Sequence, residues 1–540
     1  FYGFAIVNEK HHDTEDNNKI IRKYNRYYYN NNFYYKGLNL TEEILNGGDS
    51  LYVLTMNRYN NRTLTRSGVN SKYVTLDTTI ICYLEGTGNA EIRQQKTFQY
   101  ESAYGNLTQQ TLSSTSMPLL TVDINYHPDP GNHRVSIPSS VEISGYRKRT
   151  TQIDPIGQIT EIRDYYQASN YLSTRMTYDN YGNCIRIQYP NHSYSYTYDN
   201  EVHSYPISVR DTFGHTSYAQ DYDFRFGVPR TLIDKYGSRM EYTLDAWGRI
   251  LTIRGPKEID SSVLYTIRYQ YNRTVLNSNG TIEQPASTFT FNYDPAHPGN
   301  DIEIYTYSDG LGRIVQTKKD ADVNGVEQKV ISGKVIYDAL GRTIENYYPT
   351  VQALGDTTYY TGVDTVNPSM THYDLLDRPL RQEAPDGTFQ TFSYGFGQDA
   401  IGHTLFKTTA IDQRGHPSIV LKDVNDLQWG IKPAGEPYVY FAYDIMGQCD
   451  SVYSSIPNDF CRKYTYDMLG RKTSYTEELL SEDYYYTGSN LTLKDINWYN
   501  SIQGSMNQKT IEYVYNHNRL SSVWSDEYQL PIEYIYDDNN

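Results

Sequence analysis

The sequence predicts an all-β protein, a long antiparallel sheet assembled from repeated hairpins. Three observations predict it. A short signature, Tyr-Asp-x-x-Gly-Arg, recurs along most of the chain. Apolar and aromatic residues alternate with polar ones around it, as in Tyr194-Ser195-Tyr196-Thr197-Tyr198 and Arg249-Ile250-Leu251-Thr252-Ile253. No segment keeps a helical apolar period over three turns, so very little helix is expected.

The clearest copies of the signature carry their turn at Asp179 and Gly182, Asp245 and Gly248, Asp309 and Gly312, Asp338 and Gly341, Asp444 and Gly447, and Asp467 and Gly470. Asp234–Gly237 ("DKYG") is a further recurrence, weaker copies begin at Asp154, Asp211, Asp374 and Asp412, and the final residues "YIYDDNN" read as a further copy cut short. Each position has a physical reason. An Asp that opens a turn accepts backbone N–H groups two or more residues on. The Gly three places later supplies the positive φ that closes a hairpin loop of this length with a bulge. Positive φ is therefore expected at Gly248, Gly312, Gly341, Gly447 and Gly470. Tyr residues spaced two apart line one face of the outgoing strand, where cross-strand aromatic pairs stabilise a sheet. The Arg after the Gly starts the return strand.

Spacing narrows the architecture. Turn aspartates lie as close as Asp234 and Asp245 and as far apart as Asp245 and Asp309. A propeller or ladder solenoid holds a nearly fixed period. Irregular hairpins point instead to one long sheet with variable insertions. Residues 1–140 lack the signature and are read as a β-rich leading or capping segment. Residues 141–540 form the repeat region, and Val122–Ile143 ("VDINYHPDPGNHRVSIPSSVEI") is read as the connector.

Composition excludes several functions. The 540 residues carry a formal charge of −16 and a mean hydropathy of −0.68. Nucleic-acid binding needs clustered Lys and Arg and is not expected. No apolar run reaches the roughly 20 residues of a membrane-spanning helix. The 58 Tyr against 15 Phe predict broad, half-wet sheet surface rather than a thick dry core, because each ring brings a hydroxyl that needs a partner. The chain opens on "FYGFAIVNEK" without an initiator Met, as expected of a piece of something longer.

The chemistry-bearing motifs are few. Cys82, Cys184, Cys449 and Cys461 are too sparse for a disulfide framework or a zinc site, although Cys449 and Cys461 can pair if their strands adjoin. Asp320–Gly325 ("DADVNG") copies the first half of a calcium loop, but Ile331 stands where a bidentate Glu is required, so it reads as a polar hairpin. His11-His12-Asp13 lies in a polar stretch read as flexible. No His-Glu-x-x-His, phosphate loop or Gly-x-Ser-x-Gly elbow occurs. No catalytic, metal or cofactor site is expected.

The repeats resemble the Rhs or YD-repeat proteins over roughly Gln152 to Asn540, nearest to the B component of bacterial insecticidal toxin complexes and related virulence-plasmid B proteins. "YDFRFGVPRTLIDKYGSRMEYTLDAWGRILTIRGPKE" (Tyr222–Glu258), "YTYSDGLGRIVQTKK" and "KVIYDALGRTIENYYP" carry the likeness, as does "PDGTFQTFSY" from Pro385. The resemblance implies a sheet spiralling into a hollow shell around a C-terminal toxic domain. Family shells end in a self-cutting segment near an Asp-Pro-x-Gly motif. Here that string occurs only at Asp154–Gly157, too early and without its context, and is read as an ordinary turn.

The resulting expectation is a non-enzymatic shell or scaffold, here incomplete, of a bacterial protein that is secreted or on the cell surface. Its partners would be a protein cargo, such as a toxin domain, or a delivery partner. The alternative is a cell-surface adhesin that stacks carbohydrate on exposed Tyr rings. A third, a polysaccharide-acting enzyme, is disfavoured because many of the aspartates already serve turns.

Overall fold

A computed structural model describes residues 3–13, 19–29, 32–66, 69–89, 91–115, 118–332, 334–362, 366–500, 504–526 and 530–536. The last residues of "YIYDDNN" lie outside them. The protein is all-β with long antiparallel sheets. Helix among the described residues amounts to one turn at Pro256–Asp260 and a 3-10 turn at Pro130–Asn132. The chain divides into two compact units. One holds residues 1–178, 186–193 and 391–540, the other residues 179–185 and 194–390.

In the first unit, strands pair antiparallel with their successors in chain order, from Ile6–Asp13 through to Tyr171–Tyr178. A second ladder runs the same way from Thr404–Ile411 to Ile532–Glu533. Short turns between successive apolar-alternating runs leave adjacent antiparallel pairing as the simplest way to satisfy the backbone. The dry cores are small. Leu405, Leu421, Trp429 and Tyr440 form one, and Ile80, Cys82 and Leu84 another. Tyr83 meets Phe406 edge-on, with centroids 4.9 Å apart, tying the two ladders.

The second unit repeats the plan from Ser193–Tyr198 to Ile314–Val323, Val326–Ser332 and Thr350–Ala353. Val335–Tyr337, Thr343–Asn346, Ser369–Tyr373 and Pro379–Glu383 pair as a separate ladder. Many strands are half-buried on both faces, as Leu107–Ser114 and Ile250–Arg254 are throughout, instead of alternating dry and wet. A sheet rich in Tyr reaches this state because each ring covers its neighbours while its hydroxyl stays polar.

Two local expectations are corrected. Val122–Ile143 is not a connector but the hairpin Leu120–Asp129 and Arg134–Ile143, closed by the turn at Pro130–Asn132. His11-His12-Asp13 is not a loose stretch but the end of the strand Ile6–Asp13. That strand is held by its full ladder to Lys19–Tyr28 and by Arg26, which bonds Glu9 at 2.6 Å. Length of pairing outweighs the polarity of the individual residues there.

Candidate functional site

The repeat turns share one geometry. In the turn at Asp309, the carboxylate Oδ1 accepts the N–H groups of Leu311 and Arg313, each at 2.9 Å, while Oδ2 accepts Arg313 Nε at 2.7 Å. Gly312 N–H donates to the Asp309 carbonyl, and the residues beside the turn pair through a bulge, Ser308 with Ile314. Asp179, Asp245, Asp338, Asp444 and Asp467 accept the equivalent two N–H groups at 2.8–3.0 Å. The glycines at 182, 248, 312, 341, 447 and 470 have φ between 76 and 90°. Hydrogen bonds from Asn183 hold the Asp179 carboxyl below its ordinary range. The Arg313 N–H does the same to Asp309.

Many of these turns are strapped to a later strand by a tyrosine hydroxyl, a contact the sequence reading did not foresee. Tyr337 OH donates to the carbonyl of Ile314, the first residue after the preceding Arg, at 3.1 Å. Tyr178 reaches Ile159 in this way, as do Tyr198 to Cys184, Tyr271 to Ile250 and Tyr373 to Thr343. Tyr443 to Gln428, Tyr466 to Cys449 and Tyr486 to Lys472 continue the series, at 2.7–2.9 Å. Where Arg follows the Gly, it lies over the same Tyr ring: Arg249 over Tyr271, Arg313 over Tyr337, Arg342 over Tyr373 and Arg471 over Tyr486. Tyr100 and Tyr126 make the same hydroxyl-to-carbonyl contact, to Leu76 and Leu107, upstream of any signature.

Some turns of this geometry escaped the signature. Asp399–Gly402 has it, with His403 in place of Arg. Asp423–Leu427 has it with Asp426 in the glycine position at φ 65°; in the weaker copy already read at Asp374, Asp377 fills the same role. An Asp five residues before a strand was the legible signal; the Gly was not obligatory, because Asp also tolerates the left-handed region.

The other notable environment lies in the second unit, on the strands Ile302–Ser308, Ile314–Val323 and Val326–Ser332. Tyr305, Tyr307, Gln316, Lys318 and Lys329 are at most 3% exposed there. The segment 356–362 closes over them. Tyr307 OH donates to Thr357 O at 2.6 Å, and Gln316 exchanges bonds with the Tyr360 backbone at 2.9 and 3.0 Å. Burial holds the Lys318 ammonium below its usual range and pushes the Tyr307 phenol up to about 12. Asp320–Gly325 is a tight hairpin, with Val323 opposite Val326. No group of three or more metal-ligating side chains is found among the described residues. Cys461 faces Tyr453 rather than Cys449, and the two are unlinked thiols. In the first unit, an open cleft of about 820 Å³ is lined by Tyr146, Tyr166, Tyr466, Tyr484 and Tyr485 with Asp483.

Strand-after-strand pairing through bulged Asp-Gly turns defines a class of protein: all-β chains built from repeated antiparallel hairpins. No family model matches the chain, and no curated protein does. Solved structures of toxin complexes do match. A crystal structure of TcdB2-TccC3-TEV aligns with 98% of this chain at a TM-score of 0.75 and 12% identity. TcdB2-TccC3 without its hypervariable C-terminal region aligns with all of it, at 0.74 and 12%. The Tc holotoxin pore of Photorhabdus luminescens aligns with 98%, also at 0.74 and 12%. The chain shares the fold of these structures and spans about two fifths of their length, 39–40%.

Proposed function

We propose that this chain is a non-enzymatic YD-repeat scaffold, part of the shell of a bacterial toxin complex that is secreted or displayed on the cell surface. In this reading residues 1–140 lead and residues 141–540 are the repeat wall. The turn residues at 179/182, 245/248, 309/312, 338/341, 444/447 and 467/470 serve the wall and not a reaction. The cargo is a toxin or effector domain enclosed away from solvent. The observation that carries the reading is the fold likeness to TcdB2-TccC3 structures along essentially the whole chain. Small-angle scattering tests it. A compact chain of this length has a radius of gyration of roughly 24 Å. The hollow scaffold requires a clearly larger value, and the compact value would sink the reading.

A second reading, carbohydrate binding, is favoured by one observation. Tyr146 and Tyr485 are 43% and 49% exposed at the cleft that also holds Asp483. Aromatic faces beside polar groups suit a sugar ring. A glycan-array screen of the chain and of Tyr485→Ala tests it; equal signals for the two would remove it.

A further inference from the structure

Glu303, Asp320 and Lys329 stand side by side on three neighbouring strands. Asp320 is the direct cross-strand partner of Lys329. On its other side, Asp320 Oδ2 accepts the backbone N–H of Glu303 at 2.7 Å. Lys329 Nζ lies 2.7 Å from Glu303 Oε2 and 2.5 Å from Asp320 Oδ1, with the Lys329 side chain 0% exposed and that of Asp320 11%. The Tyr305 ring sits 4.2 Å from the same Nζ, and its hydroxyl donates to Glu303 Oε2. Asp320 Oδ1, although close to Nζ, has no partner in hydrogen-bond geometry. The nitrogen has therefore approached the carboxyl group without taking up a hydrogen-bonding position, while its bond to Glu303 is well formed.

An ordinary buried ion pair would use the same three side chains. It would, however, hold the fully buried Lys329 ammonium and the nearly buried Asp320 carboxylate out of water, a cost recovered only when the geometry is good and the remaining polar atoms are bonded. Here one carboxylate oxygen is not. The arrangement also supplies what condensation needs: an amine, a carboxyl carbon and a second carboxylate on the amine. Proximity of this kind replaces a bimolecular encounter.

We propose that Lys329 and Asp320 join in an intramolecular isopeptide bond, with Glu303 as the proton carrier. Glu303 takes a proton from the ammonium, and the freed lone pair attacks Asp320 Cγ. The carbon–nitrogen bond forms and one carbon–oxygen bond breaks. The departing oxygen receives, by way of Glu303, the two protons that the nitrogen loses. An ammonium and a carboxylate enter, and an amide and one water leave; no oxidant, metal or cofactor is consumed. The Glu303 contact is the general acid–base element, within hydrogen-bond reach of the proton it moves. The condensation removes one charge of each sign from the buried row.

Mass spectrometry of the folded, full chain decides. The expected intact mass is lower than that of the sequence by one water. Trypsin should fail to cut after Lys329, giving a peptide from Asp320 to Lys334 that lacks one water, and cleavage beside Glu327 should open it into a branched pair. Asp320→Asn should give the same amide with loss of ammonia instead of water, which separates the bond from a cyclic imide elsewhere. Glu303→Gln, checked for retained β-sheet by circular dichroism, should keep the full mass. A folded wild-type chain at full mass, or a water loss that maps outside Asp320 and Lys329, overturns the bond. Cross-linking undiminished in Glu303→Gln overturns the role given to Glu303. The wild-type result decides the bond even if a variant does not fold.

Discussion

The guanidinium carbon of Arg313 lies 4.2 Å from the ring centroid of Tyr337, although the two residues belong to successive turns of the repeat. Arg313 is anchored on its own turn by Asp309, and Tyr337 bonds back to Ile314, the residue that follows Arg313. One signature thus builds a hairpin and grips the next. Asp shapes the turn, Arg ties Asp to the following Tyr, and Tyr closes the loop onto the backbone. The stability of one such hairpin depends on its neighbour, as nearest-neighbour terms do in repeat proteins generally.

Removing the strap should therefore cost a hydrogen bond without opening a cavity. Tyr337→Phe is expected to destabilise by about 1 kcal/mol, the net value of a typical hydrogen bond. Arg313→Ala should lose up to about 1 kcal/mol of ring contact in addition to its bond to Asp309. Because both act on one interlock, the double variant should lose less than the sum of the single losses. Denaturant midpoints of the four proteins measure this; strict additivity would show that the two contacts are independent.

The turn glycines should not be equal. Gly312→Ala meets no atom within 4 Å, so its cost is the left-handed conformation alone, about 1–2 kcal/mol. At Gly248, with φ 81°, an added Cβ would stand 2.7 Å from the Phe226 ring. Gly248→Ala should cost clearly more than Gly312→Ala in the same unfolding assay. Equal losses would mean that Phe226 moves aside freely.

Alkali should unfold this protein through its tyrosines. Burial pushes the Tyr443 phenol up to about 12, and the bond to Glu477, with burial, does the same for Tyr475. A group whose folded pKa is raised contributes stability that is fully present below its unfolded value and is lost as pH rises through the folded one. Stability should hold below about pH 10, the ordinary tyrosine value, and fall between there and about 12. Phenolate absorbance followed together with circular dichroism should show the late-ionising tyrosines titrating as the sheet melts. Complete ionisation near pH 10 with the sheet intact would contradict the burial of these rings.

Although the dry cores are small, each should matter. Leu405 is fully buried against Leu421, Trp429 and Tyr440. Leu405→Ala is expected to cost about 2–5 kcal/mol, the range for truncating a buried aliphatic side chain. Thermal or denaturant unfolding of the variant provides the check.

The turns were legible in the sequence because their chemistry is local. Asp309 needs only the N–H groups two and four residues on, so the letters of a six-residue window specify the hairpin. Alternation of Tyr, Ile and Val then specified strands, and the absence of a helical period left very little helix to expect. What the letters hid was the same geometry under other residues. Asp426 and Asp377 stand at positive φ in the place that Gly takes in the signature, and the leading segment makes its Tyr100 and Tyr126 straps with no signature at all.

Tertiary structure alone decided which partner each tyrosine hydroxyl found, and which polar groups were taken out of water. Alternation assigns a residue to one of two faces but does not say what covers that face. Asp320 reads in sequence as the first ligand of half a calcium loop; pairing of the strands places it against Lys329 and Glu303 instead. Tyr307 and Gln316 are buried because a segment some forty to fifty residues later folds over them. Local hydrogen bonds are fixed by residues within a few positions of each other, and so can be read from a string. Burial depends on segments distant in that string meeting in space, and only the folded chain brings them together.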